Sequence, residues 1–161
     1  MNLDEYTQEV LQSTEKLEKV KVNGKLLINS LALFISAGRL LNQVKSKIDG
    51  NLYDGETVNK SYQTALQALH EINGTRLIGE DDSYEVDPNI LRSMLAMSAT
   101  NAEMCEALCN VMLHDHSFEI TYNMLNEIGD ITQHQSIIVD ALDGDWDEVL
   151  KSSLTRLHHG L

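Results

Sequence analysis

The stretch LRSMLAMSATNAEMCEALCNVMLHDHSFEITYNMLNEIGD, residues 91–130, decides the fold of this chain. It holds two short acidic motifs, Glu103-Met104-Cys105-Glu106 and Glu127-Ile128-Gly129-Asp130, separated by 20 residues. Positions i and i+3 share one face of a helix, so each motif sets two carboxylates side by side. If the two motifs lie on helices that pack antiparallel, four carboxylates converge on one spot.

Carboxylates gathered in this way need a cation, because each negative charge raises the cost of ionising the next. Mg²⁺ removes the repulsion, and it favours carboxylate oxygens together with the phosphates of a substrate. The pattern therefore indicates a magnesium site for a phosphate-bearing substrate. The alternative is that acidic residues at this spacing form a solvated helix face.

The composition favours one helical domain. A chain of 161 residues is long enough for a core of its own. Leu, Met, Ala, Glu and Gln are common, whereas alternating runs rich in Val, Ile and Thr are scarce, so an all-α fold is expected. The net charge of −13 argues against duplex nucleic acid as a partner and disfavours anionic membrane surfaces.

The cysteines and the N-terminus predict a cytoplasmic protein. Cys105 and Cys109 lie four residues apart on one predicted helix, which suits small buried hydrophobic residues better than a disulfide. A zinc site that adds His114 or His116 is a less favoured alternative. The opening Met1-Asn2-Leu3-Asp4-Glu5 has no basic region and no apolar signal core. No run of about 18 apolar residues occurs, so no membrane span is expected.

Apolar periodicity predicts six helices, and turn residues separate them. Residues 75–87 are expected to be a linker, and Asp87 is expected to cap the next helix with Pro88 in its first turn. Asp145 and Glu148 form a capping-box pattern before the last helix. The predicted helices cover residues 3–21, 26–48, 57–72, 89–113, 118–142 and 146–159.

The predicted elements repeat. A helix, a long helix, a loop and a second long helix occur twice, roughly over residues 3–73 and 89–159. Leu27, Leu31 and Ala32 align with Leu91, Leu95 and Ala96 at an offset of 64, and His70 falls opposite His134. We therefore expect a single all-α domain over residues 1–161, made of two helical-hairpin repeats. In it, residues 88–161 carry the acidic motifs and residues 1–74 form the other repeat.

The second repeat resembles the MazG-like nucleotide pyrophosphohydrolases. Residues 95–108 are similar to the first long helix of that family. Residues 123–131 are similar to its second, which typically reads Leu-Glu-Glu-Leu-Gly-Asp. The third helix is matched by Asp147-Glu148-Val149-Leu150 and Arg156-Leu157, and the opening residues 1–6 are also typical of the family.

The resemblance implies both an architecture and an activity. Members of the family are all-α bundles assembled from paired subunits or tandem repeats, so a homodimer is one expected assembly. They use Mg²⁺ to hydrolyse a nucleoside triphosphate to a monophosphate and pyrophosphate.

The family's first motif, Glu-x-x-Glu, fits this chain in two registers. The apolar residues favour the register that places it on Thr100 and Glu103, in which one metal-ligand Glu is missing. The other register uses Glu103 and Glu106 and keeps four acids. In the first repeat the equivalent positions hold no acid at all; they are Ser36, Arg39, Gln63 and Leu66.

The resemblance assigns each candidate residue a role. Glu103, Glu127 and Asp130 would hold Mg²⁺, and Glu106 would orient or deprotonate the attacking water. His134, Lys151 and Arg156 would contact the substrate. For His134 the alternative is a packed or surface histidine, and for Arg156 it is a cation favoured by the helix dipole.

Two rival functions remain open at this point. The chain could be a catalytically inactive relative that binds a nucleotide or a protein through the same bundle, as the missing acid at Thr100 and the acid-free first repeat suggest. It could also be a helical interaction domain.

Overall fold

The computed structural model describes residues 2–15, 21–74, 82–83, 86–114 and 119–159. These residues form an all-α protein, with one pair of two-residue antiparallel strands as its only extended structure. The elements in chain order are α1 (Leu3–Ser13), β1 (Lys21–Val22), α2 (Gly24–Ile48), α3 (Gly55–Asn73), β2 (Asp82–Ser83), α4 (Pro88–His114), α5 (Glu119–Ala141) and α6 (Trp146–His159).

The predicted helix starts are confirmed by hydrogen bonds at their caps. Asp87 Oδ1 accepts from the backbone amides of Asn89 and Ile90, at 2.7 and 3.1 Å. Asp145 Oδ1 accepts from the amide of Glu148 at 3.1 Å. These side chains satisfy amides that have no partner inside a helix. The first helix ends at Ser13 and is therefore shorter than the predicted helix over residues 3–21.

The chain divides into two compact units, residues 1–19 with 85–161 and residues 20–84. In the second unit α2 and α3 form an antiparallel hairpin, and β1 pairs with β2. In the first, α4 and α5 form a hairpin and α1 packs against α5. The unit boundaries differ from those of the two predicted repeats, because α1 belongs with the helices of the second half.

Small side chains occupy most of the buried positions of both hairpins. Ser36, Ser61 and Ala68 are buried in the α2–α3 hairpin, and Ser93, Thr100 and Ser136 in the α4–α5 hairpin. Some of the serine hydroxyls donate back to their own helix, as Ser136 Oγ does to the Thr132 carbonyl at 3.0 Å. Small residues at these positions allow the two helix backbones to approach closely.

Large apolar side chains lie mostly on the outside of the hairpins. Among the described residues, the buried apolar side chains are Val10, Ala68, Ile137 and Trp146. On α2, four of the apolar residues whose spacing predicted the helix are exposed, whereas Leu27 and Leu31 are half-buried. The four exposed residues are Phe34, Ile35, Leu41 and Val44. By length and composition α2 is also apolar enough to cross a membrane, although no membrane span was expected from the sequence. Core helices of water-soluble proteins share this property.

Trp146 joins the last helix to the first. Its side chain is buried, and its indole Nε1–H donates to Thr7 Oγ1 at 2.9 Å. The Thr7 hydroxyl in turn donates to the Leu3 carbonyl at 2.8 Å. Because a buried indole N–H needs a partner, this bond fixes how the start of α6 meets α1. Trp146 thus anchors the start of α6 to α1.

Candidate functional site

The second acidic motif lies in the first half of α5, where Glu127 is half-buried and Asp130 is exposed. The two carboxylates are separated by three residues, so they sit roughly 60° apart around the helix axis, one turn from each other. Both are within reach of one ligand on that side of α5.

Gly129, which separates these acids, does not mark a close helix crossing. No atom outside its own helix backbone and chain neighbours lies within 4 Å of the position that a Cβ would take. Instead Gly129 lines an open depression of about 420 Å³, together with Asn2, Leu3, Tyr6 and Thr132. Gly129 therefore lies at an open surface rather than at a close helix crossing.

The first acidic motif lies on α4, where Glu103 and Glu106 are both exposed and Thr100 is buried. At 100° per residue, Glu103 sits roughly 60° around the helix from Thr100 and Glu106 roughly 120°. Thr100 therefore faces the packed side of α4, Glu103 borders it, and Glu106 points farther away. This rotation favours the register in which Thr100 replaces the first acid.

The structure does not bring the four carboxylates together as a preformed metal site. In the described ranges, no set of three or more histidine, cysteine, aspartate or glutamate side chains is placed to hold a metal ion. Glu103, Glu127 and Asp130 therefore do not form such a set by themselves, and the buried position on α4 holds Thr100 rather than an acid. Mg²⁺ does not need a site made of protein ligands alone, since its coordination commonly includes several waters, one or two carboxylates and the phosphates of a substrate.

A mixed group of charges spans α4 and α5 beside Asp130. His134 is half-buried, and its Nδ1 is buried with no hydrogen-bond partner in the described part of the chain. Burial lowers the pKa of His134, the nearby Arg92 guanidinium lowers it further, and the Asp130 carboxylate opposes both. Arg92, Asp130 and His134 therefore share one electrostatic neighbourhood.

Arg92 was not among the residues selected from the sequence. It is exposed, and it is the only Lys or Arg between residues 88 and 141. Its isolation as a basic residue in an acidic hairpin is the sequence feature that could have identified it. Near a carboxylate pair and a histidine, a guanidinium gives the site a group suited to phosphate oxygens.

The burial of His134 predicts a pH dependence of stability. Above its ordinary pKa of 6.5 the imidazole is neutral in both the folded and the unfolded chain. As the pH falls below 6.5, the unfolded chain takes up this proton first, so the free energy of unfolding decreases. Urea unfolding between pH 8 and 5 should show a smaller loss in His134→Gln than in the wild type. His70→Gln, at an exposed position of α3, is the control and should behave as the wild type.

The two cations predicted for substrate contact lie on α6, away from the acidic motifs in sequence. Lys151 Nζ pairs with Asp147 in its own helix at 3.7 Å, with both side chains largely exposed. Arg156 is exposed. No hydrogen bond or ion pair among the described residues joins either cation to the carboxylates of α4 and α5.

Cys105 and Cys109 are free and exposed, so the expectation that they are small buried residues is wrong. Both lie on the side of α4 that faces away from Thr100, because they follow it by five and nine residues. His116, the alternative zinc ligand, lies outside the described residues, and only the backbone of His114 is described.

Comparison of the chain with protein-family models, with curated proteins and with solved structures finds no match. The α4–α5 hairpin and its charged groups are therefore the basis for a functional proposal.

Proposed function

We propose that this protein is a MazG-like, Mg²⁺-dependent nucleoside triphosphate pyrophosphohydrolase whose site lies on the α4–α5 hairpin. The observation that carries the proposal is the charged group around Asp130. A carboxylate pair on α5 lies next to a half-buried histidine, and the charges of Arg92 and Asp130 both act on that histidine. The likeness of residues 95–108 and 123–131 to the family's motif helices supports the same site.

The residues present suit a magnesium–nucleotide complex better than a metal held by protein alone. Glu127 and Asp130 offer two carboxylates on one side of α5, with Glu103 as the candidate third ligand from α4. Bound there, Mg²⁺ would neutralise the triphosphate oxygens. The reacting water would be oriented by a carboxylate, and Glu106 keeps that proposed role although it points farther from α5 than Glu103 does.

Contacts to the phosphates are proposed for Arg92 and His134 in the hairpin, and for Lys151 and Arg156 on α6. Arg92 is the strongest of these, because a guanidinium can donate two parallel hydrogen bonds to phosphate oxygens. The nucleoside triphosphate is the proposed partner, in a cytoplasmic protein that binds neither duplex nucleic acid nor a membrane.

The architecture proposed for this function is a bundle of two related helical hairpins. The burial of Ser36 and of Thr100, which are 64 residues apart, supports the repeat. Both are small residues on the inner side of the first long helix of a hairpin. The α2–α3 hairpin, which lacks the four acids, would then supply packing rather than metal ligands.

A second candidate function is favoured by Thr100. This residue is buried where the preferred register requires an acid. A site with three carboxylates in place of four could bind a nucleotide without hydrolysing it, so a catalytically inactive nucleotide-binding bundle is the alternative.

The test is a panel of nucleoside triphosphates, each incubated with the full chain and Mg²⁺ and assayed for pyrophosphate. Thermal unfolding is measured alongside, with and without Mg²⁺ and nucleotide. Release of pyrophosphate that stops with EDTA supports the enzyme. Stabilisation by Mg²⁺–nucleotide without turnover supports the inactive binding protein. If the protein shows neither turnover nor stabilisation, both nucleotide proposals are refuted and the helical interaction domain remains.

A further inference from the structure

Gly129 is a glycine inside a helix that no packing contact explains. It lies within α5, where glycine is less favourable than alanine. A glycine at such a position allows a neighbouring backbone or a ligand to approach closely. Among the described residues, no atom beyond its own helix backbone and chain neighbours comes within 4 Å of the position of a Cβ. Space for a ligand is therefore the remaining reason for this glycine.

The depression over Gly129 has walls that suit a flat aromatic ring. It measures about 420 Å³ and lies between α1 and α5, which belong to the same compact unit. Leu3 and Tyr6 line it from α1, and Gly129 and Thr132 line it from α5. Tyr6 is half-buried. A phenol ring on one side and the bare helix backbone of a glycine on the other fit a planar ligand better than a branched one.

Polar groups at the edge of the depression can hydrogen-bond such a ring. Asn2 Oδ1 accepts from the backbone amide of Glu5 at 2.8 Å, which holds the asparagine side chain in place. Its Nδ2 makes no hydrogen bond with another described residue. Thr132 Oγ1 donates to the Ile128 carbonyl at 2.8 Å, and its lone pairs can accept. A donor and an acceptor beside an aromatic ring match the edge of a nucleobase.

The surface of α5 connects the depression with the acidic pair. At 100° per residue, Gln133 and Asn126 lie roughly 40° and 60° around the helix from Gly129. Asp130 follows at roughly 100° and Glu127 at roughly 160°, in the same direction. At a helix surface about 6 Å from the axis, 100° spans about 10 Å, which is comparable to the distance from the base of a nucleotide to its phosphates. The two side-chain amides in between suit the hydroxyl groups of a sugar.

We propose that the depression between α1 and α5 binds the base of the nucleotide, which stacks on Tyr6 and lies over Gly129. The phosphates then reach Asp130 and Glu127 along the surface of α5. This inference rests on the proposed function for its choice of a nucleotide as the ligand. It adds the place where the base is recognised, which the acidic motifs do not specify.

The test uses nucleosides, because they carry a base and no phosphate and therefore separate base binding from hydrolysis. The isotope-labelled full chain is titrated with adenosine, guanosine, cytidine, uridine and thymidine in the absence of Mg²⁺. Binding is followed through the backbone amide signals in NMR spectra. At least one nucleoside should shift the signals of Gly129 and Thr132 in a saturable way.

Replacement of Tyr6 tests the stacking contact. Tyr6→Ala should weaken nucleoside binding about fivefold or more, because stacking of a base on an aromatic side chain is lost. Tyr6→Phe keeps the ring and should bind nucleosides as the wild type does. Circular dichroism of both variants checks that the helices are kept.

Gly129→Ala should change stability and binding in opposite directions. The added methyl group enters open space and alanine favours a helix, so the urea midpoint should rise. The same methyl group occupies the floor of the depression and should weaken nucleoside binding. Gly38→Ala is the matched control, because Gly38 is also exposed inside a helix with open space at its Cβ position. It should raise the midpoint similarly and leave nucleoside binding unchanged.

The possible results separate this inference from the proposed function. If no nucleoside shifts the signals of Gly129 and Thr132, the base site is refuted, also where another part of the chain covers the depression. A Gly129→Ala variant that gains stability and still binds nucleosides normally would refute it too. Pyrophosphate release without nucleoside binding would leave the proposed function standing and this site refuted. Nucleoside binding without pyrophosphate release would support the site and exclude hydrolysis.

Discussion

Glu127→Gln and Asp130→Asn are each expected to slow pyrophosphate release from a nucleoside triphosphate at least about a hundredfold. The two carboxylates lie one turn apart on α5, where one cation can be shared between them. Their negative charge is needed to hold Mg²⁺ with the triphosphate. The amide replacements keep the size of each side chain and remove that charge.

The matched control for these variants is Asp140→Asn. Asp140 is also exposed on α5 but belongs to its C-terminal half, ten residues beyond Asp130. Its replacement should leave the rate unchanged. In the absence of metal, neither Glu127→Gln nor Asp130→Asn should lower stability, because each relieves repulsion between two acids. Wild-type rates in both variants would contradict the assignment of this site.

Trp146→Ala is expected to lower the free energy of unfolding by about 3–5 kcal/mol. The change removes one of the few large side chains that the described chain buries, and with it the hydrogen bond to Thr7. A typical domain has a free energy of unfolding of only about 5–15 kcal/mol, so the loss is a large share of the total.

Urea unfolding followed by far-ultraviolet circular dichroism measures the effect, since the variant has lost its indole. Leu157→Ala is the control on the same helix. Leu157 is 74% exposed, and its truncation should stay within about 0.5 kcal/mol of the wild type. Equal stability of the two variants would mean that the start of α6 does not depend on the Trp146 contact.

The order and type of the helices could be predicted because their signals are local. Apolar periodicity marks each helix, and a cap such as Asp87 or Asp145 needs only the amides that follow it. The direction in which each helix faces could not be predicted in the same way. Periodicity shows which residues share a face, whereas the choice of the buried face depends on the partner helix.

Cys105 and Ser136 illustrate that limit. Residue type favours a buried cysteine and an exposed serine. Here Cys105 is exposed, and Ser136 is fully buried in the α4–α5 hairpin, where a small side chain permits close packing. Cys105 and Cys109 are exposed because of the same rotation of α4.

The sequence predicts which site residues are neighbours on one helix. It does not predict how the residues of one helix lie relative to those of the other. The spacing of Glu127 and Asp130 guarantees that they are neighbours. Whether Glu103 joins them depends on how α4 is rotated against α5. In this structure Thr100 occupies the buried side of α4. Arg92 was missed for a similar reason: its electrostatic effect on His134 acts between helices that are far apart in sequence.

The small buried residues of the hairpins also determine how stability should vary with temperature. The heat capacity of unfolding rises with the apolar surface that becomes exposed and falls with the polar surface. A chain whose hairpins meet through serines and a threonine, and which leaves many of its leucines exposed, uncovers less apolar surface on unfolding than a chain that buries them. Its stability curve should therefore be broad and shallow, with cold denaturation displaced to lower temperature than in a protein of equal length that buries those leucines.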